Sequence, residues 1–156
     1  MISQTTATVQ THYLYPSTLF ANRELVHVIT VLGSCVAVCF HDPYLSIGGI
    51  NHYMLPLWNG QGLASPKYGN IAIEKLLSKM YSLGCRKENL VAKIFGGAML
   101  LQSEGSVINI GARNIEIARD ILSEQNIPIV TSNTGGNKGR KIIFNTKNGE
   151  VRHKLI

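Results

Sequence analysis

The stretch that most limits the fold is GSCVAVCFHDPYLSIGGINH, residues 33 to 52. Two runs of apolar and small residues flank Asp42-Pro43, where the fixed φ of proline suits the second position of a reverse turn. Runs of this kind on either side of a turn signal form an antiparallel hairpin. A two-residue turn at Pro43-Tyr44 predicts Phe40 opposite Ile47, Ala37 opposite Ile50 and Cys35 opposite His52. Opposed residues have Cβ atoms ~4.5–5.5 Å apart, so this register brings a thiol against an imidazole. A slip of one residue would send His52 to the other face. Ala37, Cys39, Gly48 and Ile50 share the face of Cys35, whereas Val36, Val38 and Phe40 occupy the other. The expectation is therefore one bulky face and one small, open face that a substrate can approach closely.

The rest of the chain supplies further strands and two helices. Strands are expected at 25–32, 35–40, 47–55, 91–97, 127–132, 140–146 and 150–155. Asn70, Ile73, Leu76, Leu77, Met80 and Gly84 mark a capped amphipathic helix over 71–83. Ala112, Ile115, Ala118, Ile121 and Leu122 mark a second, closed near Asn126, with 98–111 irregular before it. Residues 56–70 read as a long loop directly after His52, and long loops in compact domains are often functional. Asn148-Gly149 predicts a type I′ hairpin turn. This order gives an α+β fold, a single-domain layered α/β sandwich with mixed β-sheets and two main helices, spanning 1–156, with about 1–20 as a loosely held segment.

A chain of 156 residues has the size of one domain and buries roughly 68–70% of its unfolded surface. With 45% hydrophobic and 15% charged residues, it is not a disordered chain. No apolar run approaches the ~18 residues of a membrane span, and residues 1–20 contain no basic leader followed by an apolar run. A cytoplasmic location without membrane insertion is the expectation, and there three cysteines are free thiols by default. The net charge of +6 favours acidic partners. Nucleic acid is set aside, because no aromatic residues are interleaved with Lys and Arg and no DNA-reading motif occurs.

Cys35 and His52 can be read as nucleophile and base or as core residues, since free cysteine is among the most buried side chains. In the first reading the amides of Ser34 and Cys35, freed by the flexible Gly33, are candidates to hold an oxyanion. An adjacent imidazolium is the simplest device to lower a thiol from its reference pKa of ~8.5. A zinc site from Cys35, Cys39, His41 and His52 is disfavoured, because four-residue spacing along a strand does not present two thiolates together. No metal or cofactor is expected. Tyr68 and Asn70 are candidates for a cleft rim, with the cap role of Asn70 as the plainer reading. The glycine pairs at 96–97 and 135–136 read as positive-φ turns, and Lys138, Arg140 and Lys141 as a solvated basic edge. NTGGNKGRK lacks the spacing of a phosphate loop.

LGSCVAVCFHDP, IGGINHYMLP, SPKYGN, KIFGGAML, NIGARN and NTGGNKGRK together resemble the CheD family, the chemoreceptor glutamine deamidases of bacterial chemotaxis, in order across nearly the whole chain. The resemblance implies a cysteine hydrolase with a fold like that of deamidating toxins. It also implies conversion of receptor glutamines to glutamates through a thioester, with Cys35 as nucleophile and His52 as base. The family's threonine falls at Ile29 in an ungapped match, with Thr30 adjacent. Either Thr30, after a local shift, or a backbone carbonyl orients the imidazole. Partners implied are the cytoplasmic helices of methyl-accepting receptors and a CheC-type phosphatase. Methylesterase side activity and a non-catalytic docking role on that phosphatase are the implied alternatives.

Overall fold

The structure is a computed structural model that describes residues 9–100 and 109–156. It has three layers. The outer sheet has the order β1-β3-β8-β9, formed by β1 (Gln10–Tyr13), β3 (Val26–Leu32), β8 (Arg140–Asn145) and β9 (Val151–Leu155). The central sheet has the order β2-β5-β4-β6-β7, formed by β2 (Thr18–Asn22), β5 (Ile47–His52), β4 (Val36–Asp42), β6 (Val91–Gly96) and β7 (Ile129–Thr134). Helices α1 (Gly69–Ser82) and α2 (Ile110–Glu124) cover the far side of the central sheet. Both sheets are mixed, since β1 runs parallel to β3 and β7 to β6.

Every residue of β4 and β5 is buried, which explains their near-continuous apolar runs: a strand covered on both faces has no solvent side to make polar. Val36, Val38 and Phe40 meet Leu76, Met80 and Leu122 of the helical layer. Ala37, Cys39 and Ile50 meet Val28, Ile142 and Phe144 of the outer sheet. The small face is therefore not open to substrate as expected. A Cβ added to Gly48 would lie 2.5 Å from the Thr146 carbonyl oxygen and 2.9 Å from the Phe144 ring. The small residues make room for the second sheet.

The hairpin register also differs from the expected one. Asp42 pairs with Ile47, Phe40 with Gly49, Cys39 with Ile50 and Val36 with Tyr53. Cys35 thus faces Met54, and His52 faces Ala37. The cause is the loop, which is Pro43–Ser46 and not Pro43-Tyr44: Asp42 Oδ1 accepts the amides of Tyr44 and Leu45 at 2.9 and 3.0 Å, and Ser46 closes the turn at φ 56°. The β8–β9 hairpin repeats this device. Asn145 Oδ1 accepts the amides of Lys147 and Asn148 at 2.9 and 3.0 Å, and only Gly149 has positive φ, so the expected type I′ turn is absent. In both, a short polar side chain substitutes for a backbone acceptor and lengthens the loop to four residues.

Further expectations need correction. Tyr68, not Asn70, is the N-cap of α1, while Gly84 past its end has the positive φ that a C-terminal cap requires. Helix α2 starts earlier than expected because the Asn109 side chain accepts the Ala112 amide at 3.0 Å. The predicted irregular stretch 98–111 lies partly outside the described residues, as do residues 1–8 of the expected loose segment. Residues 10–22 are not loose, since they supply β1 and β2. Arg140 is no part of a solvated edge: it is buried, and its guanidinium donates to the Asn133 carbonyl and side chain and to the Gly135 carbonyl.

Gly48→Ala should lower unfolding stability by ~1–3 kcal/mol in urea titration, the usual cost of overpacking a close contact. Unchanged stability would mean that the sheets do not meet there.

Candidate active site

His52 ends β5 on the face toward the outer sheet, and Thr30 projects from β3 to meet it. Thr30 Oγ1 lies 2.7 Å from His52 Nδ1 and 2.8 Å from the Leu14 carbonyl oxygen. A carbonyl only accepts, so the single hydroxyl proton of Thr30 goes to Leu14 and the hydroxyl must accept from Nδ1–H. This fixes the imidazole tautomer, with the proton on Nδ1 and the lone pair on Nε2. No bulge is needed, because β3 pairs with β8 in unbroken register through Thr30. Thr30 is buried and His52 nearly so, so the bond crosses between sheets away from water.

Cys35 stands just before β4, half-buried against the inter-sheet core. It lies two positions before Ala37, which faces His52, so the lengthened loop keeps thiol and imidazole on one face as diagonal neighbours. Diagonal pairs ~7–8 Å apart at Cα are within reach of larger side chains. No Cys35–His52 hydrogen bond occurs among the described residues in this resting structure. For the imidazole to take the thiol proton the two would have to close up, as substrate-free pairs commonly do on binding.

Burial sets the charge state of the pair. It pushes the Cys35 thiol up, opposed by the residue's own backbone amide, and it pulls His52 down to about 4. At neutral pH the resting state is thus thiol and neutral imidazole, not the thiolate beside imidazolium that the sequence suggested. Neutral His52 keeps the Nε2 lone pair that a general base needs.

The loop carrying Cys35 is held by its carbonyls. The Gly33 oxygen accepts from the Ala98 amide at 3.0 Å, and the Cys35 oxygen from the Gly97 amide at 2.8 Å. Gly96 and Gly97 have φ 108° and 73°, and a Cβ on Gly96 would collide with the Cys35 carbonyl. The glycine pair is therefore required both by its φ and by close approach. The Ser34 oxygen accepts from Asn114 Nδ2 of α2 at 2.9 Å.

Of the rim candidates, Tyr68 forms a bridge to Leu55, three residues past His52. Asn70 does not adjoin the site: its side chain accepts the Trp58 amide at 3.0 Å, and it lines a groove with Tyr81 and Ile121 of the helical layer. Cys39 is wholly buried, and burial beside Asp42 pushes Cys85 up to about 12. Among the described residues no cluster of three His, Cys, Asp or Glu side chains is placed to hold a metal, and no helix is long and apolar enough to cross a membrane. Sequence reading missed Leu14, which contributes a backbone carbonyl, and Asn114, whose position in NIGARN was the available signal.

The layered α+β fold is shared with the Neisseria meningitidis protein NMB0706 of the DUF152 family, at TM-score 0.52 and 11% identity, covering 82% of this chain and 64% of that one. The family model described as CheD chemotactic sensory transduction matches residues 54–155. A Trichlorobacter lovleyi protein named probable chemoreceptor glutamine deamidase CheD is 50% identical over 97% of this chain and 94% of its own. A Sulfurimonas denitrificans protein of the same name is 49% identical over 92% of this chain and 93% of its own. The chain belongs to the CheD family.

The depressed His52 pKa has a stability consequence with a definite sign. The unfolded chain takes up the proton first, so the stability from neutral His52 is complete above about 6.5 and is lost as pH falls toward 4. The loss is on the order of 3 kcal/mol. Urea titrations across this range should show that slope in wild type and lack this part of it in His52→Gln; identical pH dependence would contradict a buried neutral imidazole.

Proposed function

We propose that the protein hydrolyses selected glutamine side chains of methyl-accepting chemotaxis receptors to glutamate, with Cys35 as nucleophile and His52 as general base. The observation that carries this reading is the Leu14–Thr30–His52 chain, which leaves Nε2 unprotonated on the face that bears Cys35. The names of the two relatives supply the substrate, and the +6 charge suits an acidic receptor surface in the cytoplasm.

The steps follow from a neutral pair. As the thiol attacks the amide carbonyl carbon, the S–C bond forms, the proton passes to Nε2 and the carbonyl π pair moves to oxygen. Thr30 accepts from Nδ1–H throughout, so it steadies the imidazolium that this step creates. His52 then returns the proton to the leaving nitrogen, ammonia departs and the thioester remains. Water that loses a proton to Nε2 attacks the thioester, and glutamate is released with the thiol restored. Hydrolysis of receptor methyl esters would use the same groups. Met54 and Leu100, each more than a third exposed, flank the Cys35 loop and offer apolar contact to a receptor helix.

Cytoplasmic receptor fragments incubated with the protein should show conversion of particular glutamines by peptide mass spectrometry. Cys35→Ala should abolish it and Cys39→Ala retain it, while His52→Gln should reduce it by about 10²–10⁴-fold. Thr30→Val should lower the rate and Thr30→Ser restore much of it. Full activity in folded Cys35→Ala would refute the assignment. Docking on a CheC-type phosphatase does not need the thiol, so Cys35→Ala also separates that role from catalysis.

A further inference from the structure

Asn114 sits wholly buried in the first turns of α2. Both hydrogens of its Nδ2 are engaged, one on the Ser34 carbonyl at 2.9 Å and one on the Met54 carbonyl at 3.0 Å. Its main-chain carbonyl accepts the Tyr53 hydroxyl at 2.5 Å. One side chain thus ties the segment before the nucleophile to the segment after the base. The amide orientation is dictated by its surroundings, because a flipped carboxamide would set Oδ1 against two carbonyl oxygens. As oriented, Oδ1 is buried without a partner among the described residues, a desolvation cost that the two donated bonds must offset.

The consequence lies on the other side of the peptide. A trans peptide is planar, with its C=O and N–H pointing in opposite directions. Asn114 draws the Ser34 carbonyl toward the helical layer, so the Cys35 N–H is aimed at the opposite side, where the Cys35 side chain lies. Ala98 holds the Gly33 carbonyl and thereby aims the Ser34 N–H in the same manner. Among the described residues neither N–H donates to another residue's oxygen. The Cys35 amide lies beside its own sulfur and the Ser34 amide meets no acceptor among the described residues, so both are held where a developing oxyanion could take them up.

We propose that Asn114 is the positioning residue that preorganises the oxyanion hole of this enzyme, by fixing the Ser34–Cys35 peptide so that the Cys35 and Ser34 amides receive the negative oxygen of the tetrahedral intermediate. Asn114 itself touches no reacting atom. The inference rests on the reading of Cys35 as nucleophile. It adds that α2, which carries no reacting group, governs the transition state through one carboxamide.

Two reactions of the same thiol separate this role from a general structural one. Attack on a glutamine carbonyl develops an oxyanion, whereas alkylation by iodoacetamide displaces iodide and develops none. Asn114→Asp, close in shape but unable to donate both bonds, and Asn114→Ala should lower kcat for receptor-fragment deamidation by roughly 10–10³-fold, up to the ~10²–10³ seen for outright loss of an oxyanion donor. KM and the rate and pH profile of Cys35 alkylation should stay at their wild-type values. If deamidation and alkylation fall together in both variants, Asn114 supports the fold and the proposal is overturned. Retained wild-type kcat in either variant overturns it equally. Absence of turnover in the wild-type protein would instead sink the functional reading on which the proposal rests.

Discussion

The hydrogen bond from His52 Nδ1 to Thr30 Oγ1 joins the two sheets across a largely apolar interface. An imidazole buried between sheets must satisfy its N–H or lose the full value of that donor, and among the described residues the hydroxyl that reaches it comes from the opposite layer. Thr30 in turn must place its own proton, and the Leu14 carbonyl takes it. The polar chain therefore requires the outer sheet, the central sheet and the segment between β1 and β2 to be in place together. Such a chain holds one geometry because every alternative leaves a buried polar group unpaired.

This arrangement explains why the site rests neutral. His52 is buried and Cys35 half-buried, so burial disfavours both imidazolium and thiolate. In the proposed reaction, charge would appear only during attack, when the imidazolium would have Thr30 beside it and the oxyanion the amides of a loop whose carbonyls are engaged elsewhere. Reactivity toward the wrong electrophile is restrained by the same burial, since a neutral thiol is a poor nucleophile. On the proposed mechanism, readiness is geometric and activation waits for the substrate.

Much of this was legible in the sequence, and the failures have physical causes. The Cys35–His52 pairing was right about the shared face and wrong about the register, because a side-chain acceptor at Asp42 lengthens the loop by two residues, which preserves the face. Thr30 was within reach of sequence reading, but the Leu14 carbonyl was not, since main-chain groups leave no mark on residue type. The polar β1 lacks the alternation that signals a strand, and its parallel pairing with β3 has no turn to announce it. Arg140 looked like a surface charge among basic neighbours, yet it is the clamp on the 133–135 turn. The small residues of β4 and β5 suggested an opening, where in fact they admit a second sheet.

The central claim is that Thr30 holds His52 neutral in the Nδ1–H tautomer, with Nε2 free to take the thiol proton. Long-range proton–nitrogen NMR of imidazole-labelled protein reads this directly at neutral pH. The account predicts a protonated Nδ1 and an unprotonated Nε2 for His52, with Thr30→Val disturbing that pattern. An imidazolium, or a proton on Nε2 with Nδ1 bare, would contradict it.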